Sequence, residues 1–183
     1  MPRHPAKHSA APHRIEIKLR DLNQLFNTMD PSPFNEKDLD ADAEEFIVSW
    51  AREYPLHDPL VLTIHLVHCE VPQQPDADVE QAIHHYFKYR AGIVRMEFHR
   101  LMREGRLSLL IGLVFLSVCL TAAQLLARHS NETVASVGGE GLTIFGWVAM
   151  WRPLQIYLYD WWPLRRRWKI LEKLGSMQVK IIH

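Results

Sequence analysis

At 183 residues the chain has room for one compact domain of about 100 residues and a short membrane hairpin, and for little else. Twenty-one Lys and Arg balance twenty-one Asp and Glu, but the charges are segregated, and segregation says more about partners than the total does. Two cysteines, Cys69 and Cys119, are too few for a disulfide framework and fit a reducing compartment, while the acidic first half would repel nucleic-acid phosphates.

Residues 21 to 80 hold fourteen Asp or Glu against Lys37 and Arg52 alone. From 84 to 106 the balance reverses, with Lys88, Arg90, Arg95, Arg100, Arg103 and Arg106 against Glu97 and Glu104. It is basic again after 160, with Arg165, Arg166, Arg167, Lys169, Lys173 and Lys180 against Glu172. The pattern is an acidic head with two basic collars.

Residues 1 to 13, rich in Pro, Ala and His without periodicity, read as a disordered tail. Pro2, Pro5 and Pro12 and the lack of a long apolar core argue against a secretory signal, and the prolines also argue against a mitochondrial presequence helix. Arg14 to Arg20 alternates, with Ile15, Ile17 and Leu19 on one side, as a half-buried strand does. A short helix is expected from Asp21 to Asn27, ended by Asp30-Pro31-Ser32-Pro33 because each Pro biases its predecessor away from helix.

Asp40 to Tyr54 reads as a helix with Asp42, Glu44 and Glu45 where negative charge complements the macrodipole, and Phe46, Ile47 and Trp50 as its apolar face. After the Pro55 to Pro59 turn, Leu60 to His68 reads as a second strand, and Val71 to Ala77 as a linker. Asp78 with Gln81 forms a capping box for a long helix whose face carries Ile83, Phe87, Val94, Phe98 and Leu101. That helix is expected to run unbroken into the first membrane span.

Leu107 to Ala127 contains no charge over twenty-one residues. At about 1.5 Å per residue it crosses a hydrocarbon core of about 30 Å. Residues 128 to 140 are expected to be an extracytoplasmic loop, and Gly141 to Trp162 a second span, with Arg152 and Pro153 near its centre. Trp161, Trp162, Arg165, Arg166 and Arg167 have the composition of interfacial anchors. Leu164, Trp168 and Leu171 suggest a basic amphipathic tail helix ending at Gly175, and Met177, Val179 and Ile181 alternate as a possible third strand, able to join the sheet begun by residues 14 to 20.

These elements predict an α+β membrane protein, with a soluble α/β domain over 14 to 106 containing two or three strands and two to three helices. A two-helix transmembrane hairpin follows, then a cytoplasmic tail from 163. The basic collars place both termini in the cytoplasm and the chain in the cell inner (plasma) membrane, against anionic headgroups. Two or three strands leave edges that invite a second subunit, so a homo-oligomer is expected.

Candidate chemistry centres on Arg152, because a guanidinium inside a bilayer costs several kcal/mol and is functional by default. Gln155 and Tyr159 follow on the same face, with Asp160 nearby, and together they predict an intramembrane polar stripe. The run Trp147, Met150, Pro153 in a two-span chain resembles the pore entrance of mitochondrial calcium uniporters, Trp-Asp-Ile-Met-Glu-Pro. The pore acids of that family correspond to Val148 and Arg152 here, and the spacing is one residue longer, so the cation-conducting function is not carried over.

His65 and His68 are the strongest candidate metal ligands, although strand alternation puts them on opposite faces. His84, His85 and His99 join them only through folding. The sequence contains no phosphate loop, nucleophile elbow, HExxH helix or Cys-pair motif, so neither an enzyme class nor a cofactor is indicated. The expected function is an anchor, assembly factor or accessory subunit of a membrane complex, docking an unidentified protein through the acidic head. The alternative is a small anion-selective channel or transporter component lined by Arg152.

Overall fold

The structure, a computed structural model, describes residues 12–67, 75–129 and 131–182. The chain divides into two compact units. Residues up to Ile93 together with those from Arg167 form the head, and Val94–Arg166 forms the second unit.

The head contains a parallel sheet of β1 (His13–Leu19), β2 (Leu60–Leu66) and β3 (Gln178–Ile182), in the order β1-β2-β3. Helix α1 (Ala41–Glu53) joins β1 to β2, and α2 (Asp76–His129) begins in the head after β2. Asp40 caps α1 by accepting from the Asp42 amide, and Asp42 and Glu44 occupy its first turn. The third strand joins this sheet, as the alternation implied, and pairs with β2. This makes β2 the central strand, buried from Leu60 through Ile64.

The described helices of the head lie on one face of this sheet. The Tyr86 hydroxyl on α2 donates to Glu44 on α1 at 2.6 Å, which requires the two helices to be neighbours. Right-handed crossovers in a 1-2-3 parallel sheet give this arrangement. The covered face carries Ile15, Leu60, Leu62 and Ile64, with Ile47, Val48, Val79, Ile83, Phe87, Ile170 and Leu174 completing the core. Arg14, Glu16 and Lys18 point the other way and are exposed, so the strand alternation reads out directly in burial.

Several boundaries differ from the sequence expectation. His13 belongs to β1 and not to the tail, because its ring stacks on Tyr54 at 4.2 Å. The helix expected from Asp21 is a single 3₁₀ turn, Leu22–Gln24, where Asp21 bonds the Asn23 amide and competes with helix propagation. On α1 the buried face is Ile47, Val48 and Ala51, whereas Phe46 and Trp50 are about two-fifths exposed and lie against each other. The second strand ends at Leu66, and α2 begins at Asp76, inside the expected linker.

In the second unit α2 continues as a helix without a break, as the apolar pattern implied. It is the one described helix long and apolar enough to cross a membrane. Only 11 % of its most apolar 18 residues are buried, which a soluble core helix would not show. The chain then forms α3 (Glu132–Ala149), α4 (Trp151–Gln155), a π-helical turn (Ile156–Asp160) and α5 (Trp161–Leu174). Residues 132 to 140, expected as loop, are therefore helical. Asn131 stands at the N-cap with Glu132 in the first turn, and Gly138 and Gly139 face Leu126 and Ala123 of α2 instead of breaking the helix.

The stretch expected to form a single second span is interrupted at Met150. Pro153 has no amide to donate to Ala149, and the backbone resolves this with a tightened turn in which Met150 N–H reaches Trp147 O at 3.0 Å. The π turn follows three residues later, a common neighbour of a strained helical register.

Candidate functional site

Contacts between α2 and the returning chain are built on small residues. Gly105, Gly112 and Cys119 recur every seven residues on α2, and Gly139 and Gly146 do the same on α3. A seven-residue recurrence keeps one seam of a helix facing its partner. At Gly146 an added methyl would lie 2.7 Å from Leu116 Cδ1 and 3.3 Å from Cys119 Cβ. At Gly112 it would lie 3.0 Å from the Met150 sulfur and 3.2 Å from the Ala149 carbonyl oxygen, the one that Pro153 leaves without its helical donor. Absence of a side chain at these positions is what lets the backbones approach.

At one end of this seam stands Arg152. Its Nη2 donates to Glu104 Oε1 at 2.8 Å and its Nη1 to Asp160 Oδ2 at 3.2 Å. Asp160 was expected near Arg152. Glu104 was not, because it lies 48 residues away in sequence and precedes the apolar run. Gln155 and Tyr159, the other members of the expected stripe, are exposed. Ser117 and Thr121 bond their own helix, donating to Leu113 O at 2.8 Å and Ser117 O at 2.7 Å. Among the residues expected as interfacial anchors, Trp161 donates to Tyr157 O at 2.7 Å, Arg165 stacks over its ring at 5.6 Å, and Trp162, Arg165, Arg166 and Arg167 are exposed.

The head carries two polar clusters. Glu44 receives Tyr86 at 2.6 Å and Arg90 Nε and Nη2 at 3.0 and 2.9 Å, joining α1 to α2. Burial and then the Glu44 carboxylate push the Tyr86 phenol well above its ordinary value. For Arg90, burial works downward, but the hydrogen bonds and charge of Glu44 outweigh it and hold the guanidinium above its ordinary value. At the start of the strands, Asp58 lies 3.1 Å from His13 and 3.3 Å from His57. Lys173 donates to Pro55 O at 2.9 Å nearby, and burial lowers its ammonium, partly offset by Asp58.

His65 is half-buried, its buried Nε2 has no hydrogen-bond partner among the described residues, and Glu16 is 4.0 Å away. His68, the other metal candidate, lies outside the described residues, as do Cys69 and Glu70. His84 donates to Met177 O at 2.6 Å, tying α2 to the residue before β3, and His99 bonds Arg95 O at 2.7 Å within its own helix. Among the described residues no group of three metal-ligating side chains converges.

Comparison with protein-family models, curated proteins and solved structures finds no match. The site's geometry consists of an ion-paired arginine closing a small-residue helix seam, and a head drawn from both parts of the chain that flank it.

Proposed function

We propose that this chain is a two-pass membrane protein of the inner (plasma) membrane whose cytoplasmic head serves as an anchor, assembly factor or accessory subunit of a membrane complex. One observation carries the reading. β3 pairs with β2 in the same sheet as β1, although the whole apolar length of α2 separates them in sequence. If α2 crosses a membrane, the chain has to cross back before β3 can reach its place. The segment from α3 to the π turn is the return, with Trp161, Trp162 and the following arginines at its exit.

The basic collars favour a cytoplasmic head against anionic headgroups. Homo-oligomerisation belongs to the same reading, since a three-stranded head is small and leaves its sheet open to a neighbour. Arg152 supports this reading better than it supports an anion path. Paired with Glu104 and Asp160, it has its charge neutralised and joins two helices of the second unit.

Topology is tested by introducing single cysteines at Asn131 and Ser176 in a background free of Cys69 and Cys119. A membrane-impermeant maleimide applied to intact cells should label the Asn131→Cys protein and spare the Ser176→Cys protein. Equal labelling of the two would sink the two-pass reading. Gentle purification from native membranes with mass spectrometry then tests for a stoichiometric complex; a chain that elutes free would remove the assembly role.

A further inference from the structure

We propose that the outer face of α1 docks a basic, arginine-bearing segment of another protein; the inference rests on the assembly reading above and names the surface and the chemistry of its partner. Helix positions decide what lies on that face. At about 100° per residue, Asp42, Phe46, Trp50 and Glu53 fall within an arc of about 80°. All four are exposed, as are Glu45 and Ser49 beside them. The rest of the helix carries Ile47, Val48 and Ala51 into the core, and Glu44 turns inward to Tyr86 and Arg90.

Two aromatic side chains are thereby left at the surface, in contact with each other. Phe46 is 41 % and Trp50 39 % exposed, with ring centroids 6.1 Å apart. Isolated apolar side chains are ordinary on a protein surface. Adjacent aromatics ringed by polar residues instead have the composition of an interface centre, where Trp is enriched and the rim excludes water. Here the rim is acidic, with Asp42 one turn before Phe46, Glu53 about one turn after Trp50, and Glu45 alongside. Arg52, the one cation of α1, lies about 120° round the helix from Phe46.

The sign of the rim selects the occupant. Anionic headgroups and nucleic-acid phosphates would meet charges of their own sign, so a bilayer surface and a nucleic acid are both repelled. A neutral apolar segment would take up the rings but desolvate the carboxylates without pairing them. Arginine satisfies both parts of the face, because its weakly hydrated guanidinium stacks on an aromatic ring and its fork of donors fits a carboxylate. The same sign extends beyond α1. Residues 21 to 80 hold fourteen Asp or Glu against Lys37 and Arg52, a field that steers a basic partner towards this part of the head.

The test uses the full chain in intact cells, with Ser49 replaced by the photo-crosslinker benzoylphenylalanine. Ser49 is exposed beside both rings, and its hydroxyl bonds its own helix at Phe46 O, so the aromatic pair and the rim stay intact. Irradiation should give a cross-link to another protein, and mass spectrometry should place it in a segment of net positive charge that contains arginine. The same probe at Lys18, exposed on the other face of the sheet, should not give that product. Trp50→Ala, and separately Asp42→Asn with Glu53→Gln, should each lower the yield about five-fold or more. If Trp50→Ala misfolds by circular dichroism, the neutralised pair alone decides. A cross-link to a second copy of this chain, to lipid, or to a segment without net positive charge overturns the proposal, as does a yield that the variants leave unchanged. No cross-link from a chain that still purifies in a stoichiometric complex overturns this face and leaves the assembly reading standing; no cross-link from a chain that elutes free overturns both.

Discussion

Glu44 shows how far single residues can be read from sequence. Its place in the first turn of α1, where a carboxylate complements the helix dipole, was legible. Its partners Tyr86 and Arg90, more than forty residues away, were not, because nothing in local periodicity points across a crossover. The pair of bonds makes a prediction at this scale. Removing the hydroxyl with Tyr86→Phe should cost about 1.5–3 kcal/mol, the usual worth of a hydrogen bond to a charged group, and lower the melting temperature accordingly. The pH dependence follows from the raised phenol. A group whose folded pKa is raised contributes stability that is full below the unfolded value, about 10 for tyrosine, and is lost as pH rises through the folded one. Melting temperatures of wild type should therefore fall as pH rises above about 10, and those of Tyr86→Phe should fall less. Parallel curves for the two proteins would show that the Tyr86 hydroxyl is not held by Glu44.

The glycines give the matching contrast at the scale of the element. In sequence, Gly92, Gly105 and Gly112 look alike, as the only obvious breakers along a long helix. The structure separates them. A methyl at Gly92 meets nothing within 4 Å, whereas at Gly112 it crowds Ala149 O and the Met150 sulfur. Gly92→Ala should accordingly raise stability by about 0.5–1 kcal/mol through helix propensity alone. Gly112→Ala should be destabilising despite the same propensity gain, because its nearest backbone neighbour, at 3.2 Å, cannot swing aside as a side chain can. Thermal unfolding of both variants in detergent checks the pair, and equal shifts would deny the seam. The continuity of α2 was legible from unbroken apolar spacing. The helical start of α3 at Glu132 was not, since glycines and a polar flank read as loop until a partner helix gives those glycines a purpose. The seven-residue recurrence of small residues was the available signal for that partner.

For the whole molecule, a sheet, an apolar span and a strand after the span able to join that sheet were legible in the sequence, but not the order of the strands. Alternation at Val179 and Ile181 identified β3 as a strand, yet alternation carries no information about which neighbour it pairs with, and the central place of β2 emerges only from the register. That arrangement makes the last nine residues structurally necessary to the head, although they follow every helix. Ending the chain at Leu174 would remove β3, the Met177 carbonyl that His84 binds at 2.6 Å, and the buried Met177 side chain. It would also turn β2, whose residues Leu60 to Ile64 are buried, into an edge strand presenting unpaired amides beside apolar side chains. The truncated protein should still insert, because α2 and the returning helices are retained, but its head should aggregate. Membrane fractionation should find it with the bilayer, while size exclusion in mild detergent should move it to the void volume and limited proteolysis should cut within β2. A truncated protein that elutes as sharply as wild type would mean that the head folds without β3 and that the pairing of β3 with β2 is not what holds β2 in the core.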